Sequence, residues 1–147
     1  MNKKQRELLL KDLCARLPYG VKMQIKNEIV VLDSVCDDDG YHFNFIGDDK
    51  EGVNIEQIKP YLFPMSSITE EQALELYKLF GIKLTDLIGW DYIKINEVTG
   101  ITFFLQKGFD VETHLDKLID WLLKNNFDFR GLIPKGLALD ATGLNIY

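Results

Sequence analysis

The chain holds only two cysteines, two histidines and four prolines in 147 residues, and each scarcity narrows what it can be. Cys14 and Cys36 are too few and too far apart for a disulfide framework. With no secretion signal in view, they read as reduced thiols of a cytoplasmic protein. His42 and His114 have no further histidine or cysteine at metal-ligand spacing. No apolar run approaches the roughly 20 residues that span a bilayer, and Leu8-Leu9-Leu10 is closed at once by Lys11 and Asp12, too short for a signal-peptide core. There is no glycine-rich phosphate loop, dinucleotide fingerprint or serine-centred elbow. No internal repeat, low-complexity stretch or linker divides the chain. These absences predict one soluble domain over residues 1–147, with no membrane association.

What is present is ordinary globular material, 46% hydrophobic and 27% charged, enough to bury about two thirds of the unfolded surface. The net charge of −6 is unevenly spread. Residues 1–26 carry Lys3, Lys4, Arg6, Lys11, Arg16, Lys22 and Lys26 against Glu7 and Asp12. Residues 27–56 carry nine acids against Lys50. Such a division either marks a partner surface or is cancelled across the fold. The acidic total argues against a dedicated nucleic-acid binder, whose affinity comes largely from phosphate neutralisation.

Periodicity predicts an α+β fold: about three helices packed on an antiparallel sheet of about five strands. Leu9, Leu10, Leu13, Cys14 and Leu17 recur at helical spacing over residues 3–16, with Glu7 and Lys11 as an exposed pair, and Pro18 ends that helix. Val21, Met23 and Ile25 alternate with polar residues as a strand with one wet face. Ile29 to Leu32 reads as a buried β-branched run, and Tyr41, Phe43 and Phe45 as a third strand, making an antiparallel meander. Ile55 to Ile58 suits one helical turn. Tyr61 to Met65 suits an extended segment on the core. Thr69 and Gln72 have capping-box spacing for a helix burying Ala73, Leu76, Tyr77 and Phe80. Two further strands are expected around Ile93–Ile95 and Ile101–Leu105. Asp110 caps a last helix with Val111, Leu115, Leu118, Ile119 and Leu122 inward, ending at Asn125-Asn126. The tail from Phe127 packs back on the domain.

Few residues point to chemistry. Asp37, Asp38 and Asp39 precede Gly40 in a turn, with Asp48, Asp49 and Glu51 downstream. A calcium loop with Gly40 at its sixth position would place Val35 and Ile46 where oxygen ligands are required, so that reading fails. Cys36 beside three aspartates is a poor nucleophile, Cys14 falls on the apolar helix face, and Ser66-Ser67 has no neighbouring histidine as base. No catalytic, cofactor or metal residue is assigned. Trp121 lies beside the main stripe of its helix, suiting either packing with Phe127 and Phe129 or an interface. Arg130, set among aromatic and acidic neighbours, suits a specific contact. The basic first helix offers an alternative surface for nucleic acid, though no stacking platform accompanies it.

Two segments carry a resemblance. Residues 58–70, Ile-Lys-Pro-Tyr-Leu-Phe-Pro-Met-Ser-Ser-Ile-Thr-Glu, and residues 120–141, with Asp120-Trp121-Leu122, Asn126-Phe127-Asp128-Phe129-Arg130-Gly131-Leu132-Ile133 and Lys135-Gly136-Leu137-Ala138-Leu139, resemble a group of short proteins from gut Bacteroidales genomes and their phages or mobile elements. With the opening helix the likeness covers about a third of the chain. It implies a bacterial or phage-encoded setting and no activity. The functional expectation is a small non-catalytic accessory module binding a protein partner through Asp37, Asp38, Asp39, Asp48, Asp49, Glu51, Trp121 and Arg130, without a cofactor. A nucleic-acid-associated protein is the first alternative. A small enzyme using His42 or His114 is the second.

Overall fold

The computed structural model describes residues 1–37, 41–47, 53–79 and 115–147. The fold is α+β, and its contacts divide the chain into two compact units, Met1–Phe63 with Arg130–Tyr147, and Pro64–Phe129. The second unit is thus an insertion in the sequence of the first.

The first unit holds helix α1 (Lys3–Arg16) and five strands: β1 (Lys22–Ile25), β2 (Glu28–Asp37), β3 (Tyr41–Phe45), β4 (Ile58–Leu62) and β5 (Leu139–Asp140). Their order is β3-β2-β1-β4-β5. The meander of β1 to β3 forms as its alternation predicts. Ile25 pairs Glu28 across a two-residue turn in which Lys26 takes a positive φ of 55°. The sheet is mixed rather than antiparallel, because β5 runs parallel to β4, pairing Tyr61 with Leu139 and Leu62 with Asp140. β4 contains Pro60, opposite Met23 of β1. Proline lacks a ladder donor, and it is tolerated here because β5 reaches only Tyr61 and Leu62, leaving Pro60 with one neighbouring strand.

Strand β2 differs from the expected buried run. Val30 and Leu32 are buried while Ile29 is 50% exposed, so it alternates like a strand with one wet face. Its register shifts between Leu32 and Ser34. That bulge inserts one residue and restores Val35 to the same side as Phe43, its cross-strand partner. On the other side Asn44 Nδ2 donates to Ser34 Oγ at 2.9 Å and approaches Cys36 Sγ at 3.8 Å.

Helix α1 packs Leu9 and Leu13 into a core with Val21, Met23, Ile25, Val30, Leu32, Phe43, Phe45, Ile55, Ile58 and Leu62, closed by Leu132, Leu137 and Ala138. Each such aliphatic contributes about 1.5–3 kcal/mol by burial. All of these residues belong to the first unit. The buried face of α1 is Leu9, Asp12, Leu13 and Arg16. Cys14, expected in the core, is exposed. The helix turns so that two charged residues point inward, which a hydropathy stripe does not detect. The ion pair made by Glu7 is with Lys3, at 3.9 Å.

Three helix starts share one device. Asn2 and Gln5, Asn54 and Gln57, and Thr69 and Gln72 form reciprocal caps, each polar cap followed three residues later by glutamine. The last of these starts α2 (Glu70–Leu79) in the second unit, where it packs on α3 (Leu115–Lys124). Helix α1 belongs to the sheet's unit, and α2 and α3 to the other. Leu76, Leu118, Trp121, Leu122, Leu123 and Phe127 are buried. α3 ends where Asn126 adopts φ 56°. Phe127 N–H donates to the Leu122 carbonyl and Asn126 N–H to that of Leu123, the paired closure that a left-handed residue after a helix permits.

The same closure recurs in the first unit. Leu137 N–H donates to the Leu132 carbonyl and Gly136 N–H to that of Ile133, with Gly136 at φ 69°. A Cβ there would meet no atom within 4 Å, so the demand is on conformation, not space. Gly136→Ala should cost about 1–2 kcal/mol, and Gly136→Asn less, measured by urea unfolding. Equal stability for all three would place the turn outside the cooperative unit.

The expected strands around residues 93–95 and 101–105, the Asp110 cap and His114 lie outside the described residues. No helix among the described residues is long and apolar enough to cross a membrane.

A candidate binding cleft beside a buried charge cluster

Asp12 and Arg16 are one helical turn apart and both are wholly buried. Arg16 Nε donates to Asp12 Oδ2 at 2.7 Å and its Nη2 to Oδ1 at 3.3 Å. Arg130 Nη1 donates to the same Oδ1 at 2.6 Å. One carboxylate thus serves two guanidiniums and ties the re-entering chain at Arg130 to α1. Buried charge is tolerated only when paired and hydrogen-bonded in this way. Arg130, picked out by sequence as a contact residue, makes this ion pair with its side chain 18% exposed.

A second tie is made by Tyr147. Its hydroxyl donates to the Tyr61 carbonyl at 2.7 Å and accepts from Lys22 N–H at 3.1 Å. Lys22 Nζ donates to the Ile146 carbonyl and lies 5.5 Å from the Tyr147 ring centroid. Phe63 packs on the ring at 5.7 Å. The residue as a whole stays 44% exposed, but its hydroxyl end is enclosed. Burial pushes the phenol up to about 12, against the lowering effects of the Lys22 hydrogen bond and the Arg16 charge. Because the folded state holds this proton more tightly, the contribution is complete below the ordinary tyrosine range near 10. It is lost as pH rises from there toward 12. Stability measured from pH 8 to 12 should fall across that window, and Tyr147→Phe should remove this part of the fall. An unchanged profile in the variant would contradict the assignment.

The first unit carries a cleft of about 360 Å³ lined by Met1, Gln5, Leu9, Glu56, Ile58 and Lys59, together with residues 135–137. Gln5 and Leu9 stand one turn apart on α1, Ile58 and Lys59 open β4, and Gly136 is the left-handed residue of the turn described above. Glu56 accepts from Arg6 Nη2 at 2.8 Å, with the Met1 ammonium at 3.8 Å. The Arg6 hydrogen bond, then the terminal charge, hold its carboxyl below the usual range. Lys135 Nζ donates to the carbonyls of Gly131 at 2.7 Å and Arg130 at 3.2 Å. Leu9, Ile58 and Leu137 are buried in the walls, while Lys59 and Lys135 are exposed.

The sequence-selected residues do not converge on this cleft. Asp37 ends β2 opposite Tyr41. Asp38, Asp39, Asp48, Asp49 and Glu51 lie outside the described residues. Trp121 is buried and stacked on Phe127, centroids 5.5 Å apart at 11°. His42 is exposed opposite Cys36. Among the described residues no group of three or more histidine, cysteine and acidic side chains could hold a metal. Sequence reasoning missed the cleft because its lining comes from three distant segments. The Asn54–Gln57 spacing, which fixes the turn bearing Glu56, was the one local signal. No protein-family model, curated protein or solved structure matches the chain.

Proposed function

We propose that the chain is a small non-catalytic interaction module that binds a partner protein at the cleft between α1, β4 and the 132–137 turn. The observation that carries this reading is the composition of the cleft: a mixed lining over the buried Leu9, Ile58 and Leu137, rimmed by the exposed charges of Glu56, Lys59 and Lys135, with Arg6 paired to Glu56. A charged, solvent-accessible rim is one part of the anatomy of protein contact surfaces. The resemblance of residues 58–70 and 120–141 to short Bacteroidales and phage proteins supports a bacterial or mobile-element setting, and with it an accessory role in the cytoplasm.

The basic first helix supports the nucleic-acid alternative less well than its composition did. Within it Arg16 is buried against Asp12, Arg6 is held by Glu56, and Lys3 lies 3.9 Å from Glu7. The Arg6–Glu56 pair also joins the basic and acidic segments, so part of the charge asymmetry is cancelled within the fold. Affinity capture with the full chain, with and without nuclease, separates the two. One stoichiometric protein retained after nuclease supports the module, and recovery abolished by nuclease favours the alternative.

A further inference from the structure

We infer that the cleft receives an acidic peptide segment; this rests on the interaction-module reading and gives the partner its chemistry. The argument is charge complementarity. In a chain of net charge −6, the described residues of the cleft and its rim gather Arg6, Lys59 and Lys135 against Glu56. Glu56 is already balanced by Arg6 at 2.8 Å. Lys135 is steadied by two backbone carbonyls, neutral acceptors that fix the ammonium without cancelling its charge. Lys59 is exposed on β4. Two cations therefore stand in the lining of the cleft.

A nucleic acid would satisfy the cations but not the rest. Among the described residues no aromatic side chain lines the cleft to stack a base, and stacking supplies much of single-strand affinity. The Glu56 carboxylate also stands in the lining and repels phosphate. A peptide answers each feature: carboxylates for Lys59 and Lys135, and a backbone N–H for Glu56. The size of about 360 Å³ lies at the low end for ligand pockets, which suits a short segment.

The test is fluorescence anisotropy of the full chain with a labelled short peptide of aspartate and glutamate. A lysine-for-acid version of that peptide and an oligothymidylate serve as comparison probes. The expected result is saturable binding of the acidic peptide alone, weakening as salt rises. Amide NMR shifts should fall at Gln5, Lys59 and Gly136. The double variant K59E/K135E, altered at two exposed positions, should bind about tenfold more weakly, the scale for losing two rim ion pairs. Undiminished binding by that variant, shifts confined to other residues, preference for the oligonucleotide, or no binding of the acidic peptide would each overturn the inference. If a captured protein partner is retained equally by K59E/K135E, the peptide chemistry fails while the interaction-module reading stands.

Discussion

Asp12→Ala is expected to cost about 3–5 kcal/mol, the scale for removing one partner of a buried ion pair. The wild-type carboxylate is wholly buried and accepts from Arg16 at 2.7 Å and Arg130 at 2.6 Å. Alanine would remove the carboxylate that Arg16, itself wholly buried, shares with Arg130. The urea midpoint should move by more than about 1 M at an ordinary slope. A shift below about 0.3 M would mean that water reaches the cluster and screens it. Combining Asp12→Leu with Arg16→Met and Arg130→Met should recover much of the loss, because a buried ionic cluster and an apolar replacement of similar volume are often close in stability. That recovery separates the cost of stranded charge from the cost of a damaged helix.

The second large effect is expected in the other unit. Trp121 is 6% exposed and lies nearly parallel to Phe127 at 5.5 Å. Trp121→Ala should cost about 3–5 kcal/mol through the cavity it opens. Amide hydrogen exchange would register this as faster exchange throughout α3. Trp121→Phe should cost less than about 1.5 kcal/mol, since the indole N–H has no hydrogen-bond acceptor among the described residues and its loss strands nothing. An alanine variant with undisturbed exchange would instead assign the side chain to a partner surface.

The contrast between these two residues shows what local pattern could reveal. The meander of β1 to β3 was legible because side chains alternate with a period of two. The Thr69–Gln72 cap and the Asn126 stop were legible because each is a short-range hydrogen-bond device with its own residue preferences. Strand β4 was hidden by Pro60, which ordinarily speaks against a strand and is accommodated here by a one-sided pairing. β5 is two residues long, and only its pairing with Tyr61 and Leu62 defines it. The face of α1 was misread because Asp12 and Arg16 are inside it, and their burial depends on Arg130, 118 residues away. The cleft is non-local in the same sense, since Gln5, Lys59 and Gly136 meet only once the sheet has formed.

The most direct test of the account is photo-crosslinking of the full chain to its partner in a bacterial lysate treated with nuclease. A benzoylphenylalanine would be placed in turn at Gln5, Lys59 and Lys135 on the cleft, and at Ile29 and Ile46 away from it. The account predicts adducts with a single protein from the three cleft positions, those from Gln5 lost on K59E/K135E, and none from the other two. Adducts concentrated at Ile29 or Ile46, with the cleft positions silent, would contradict it.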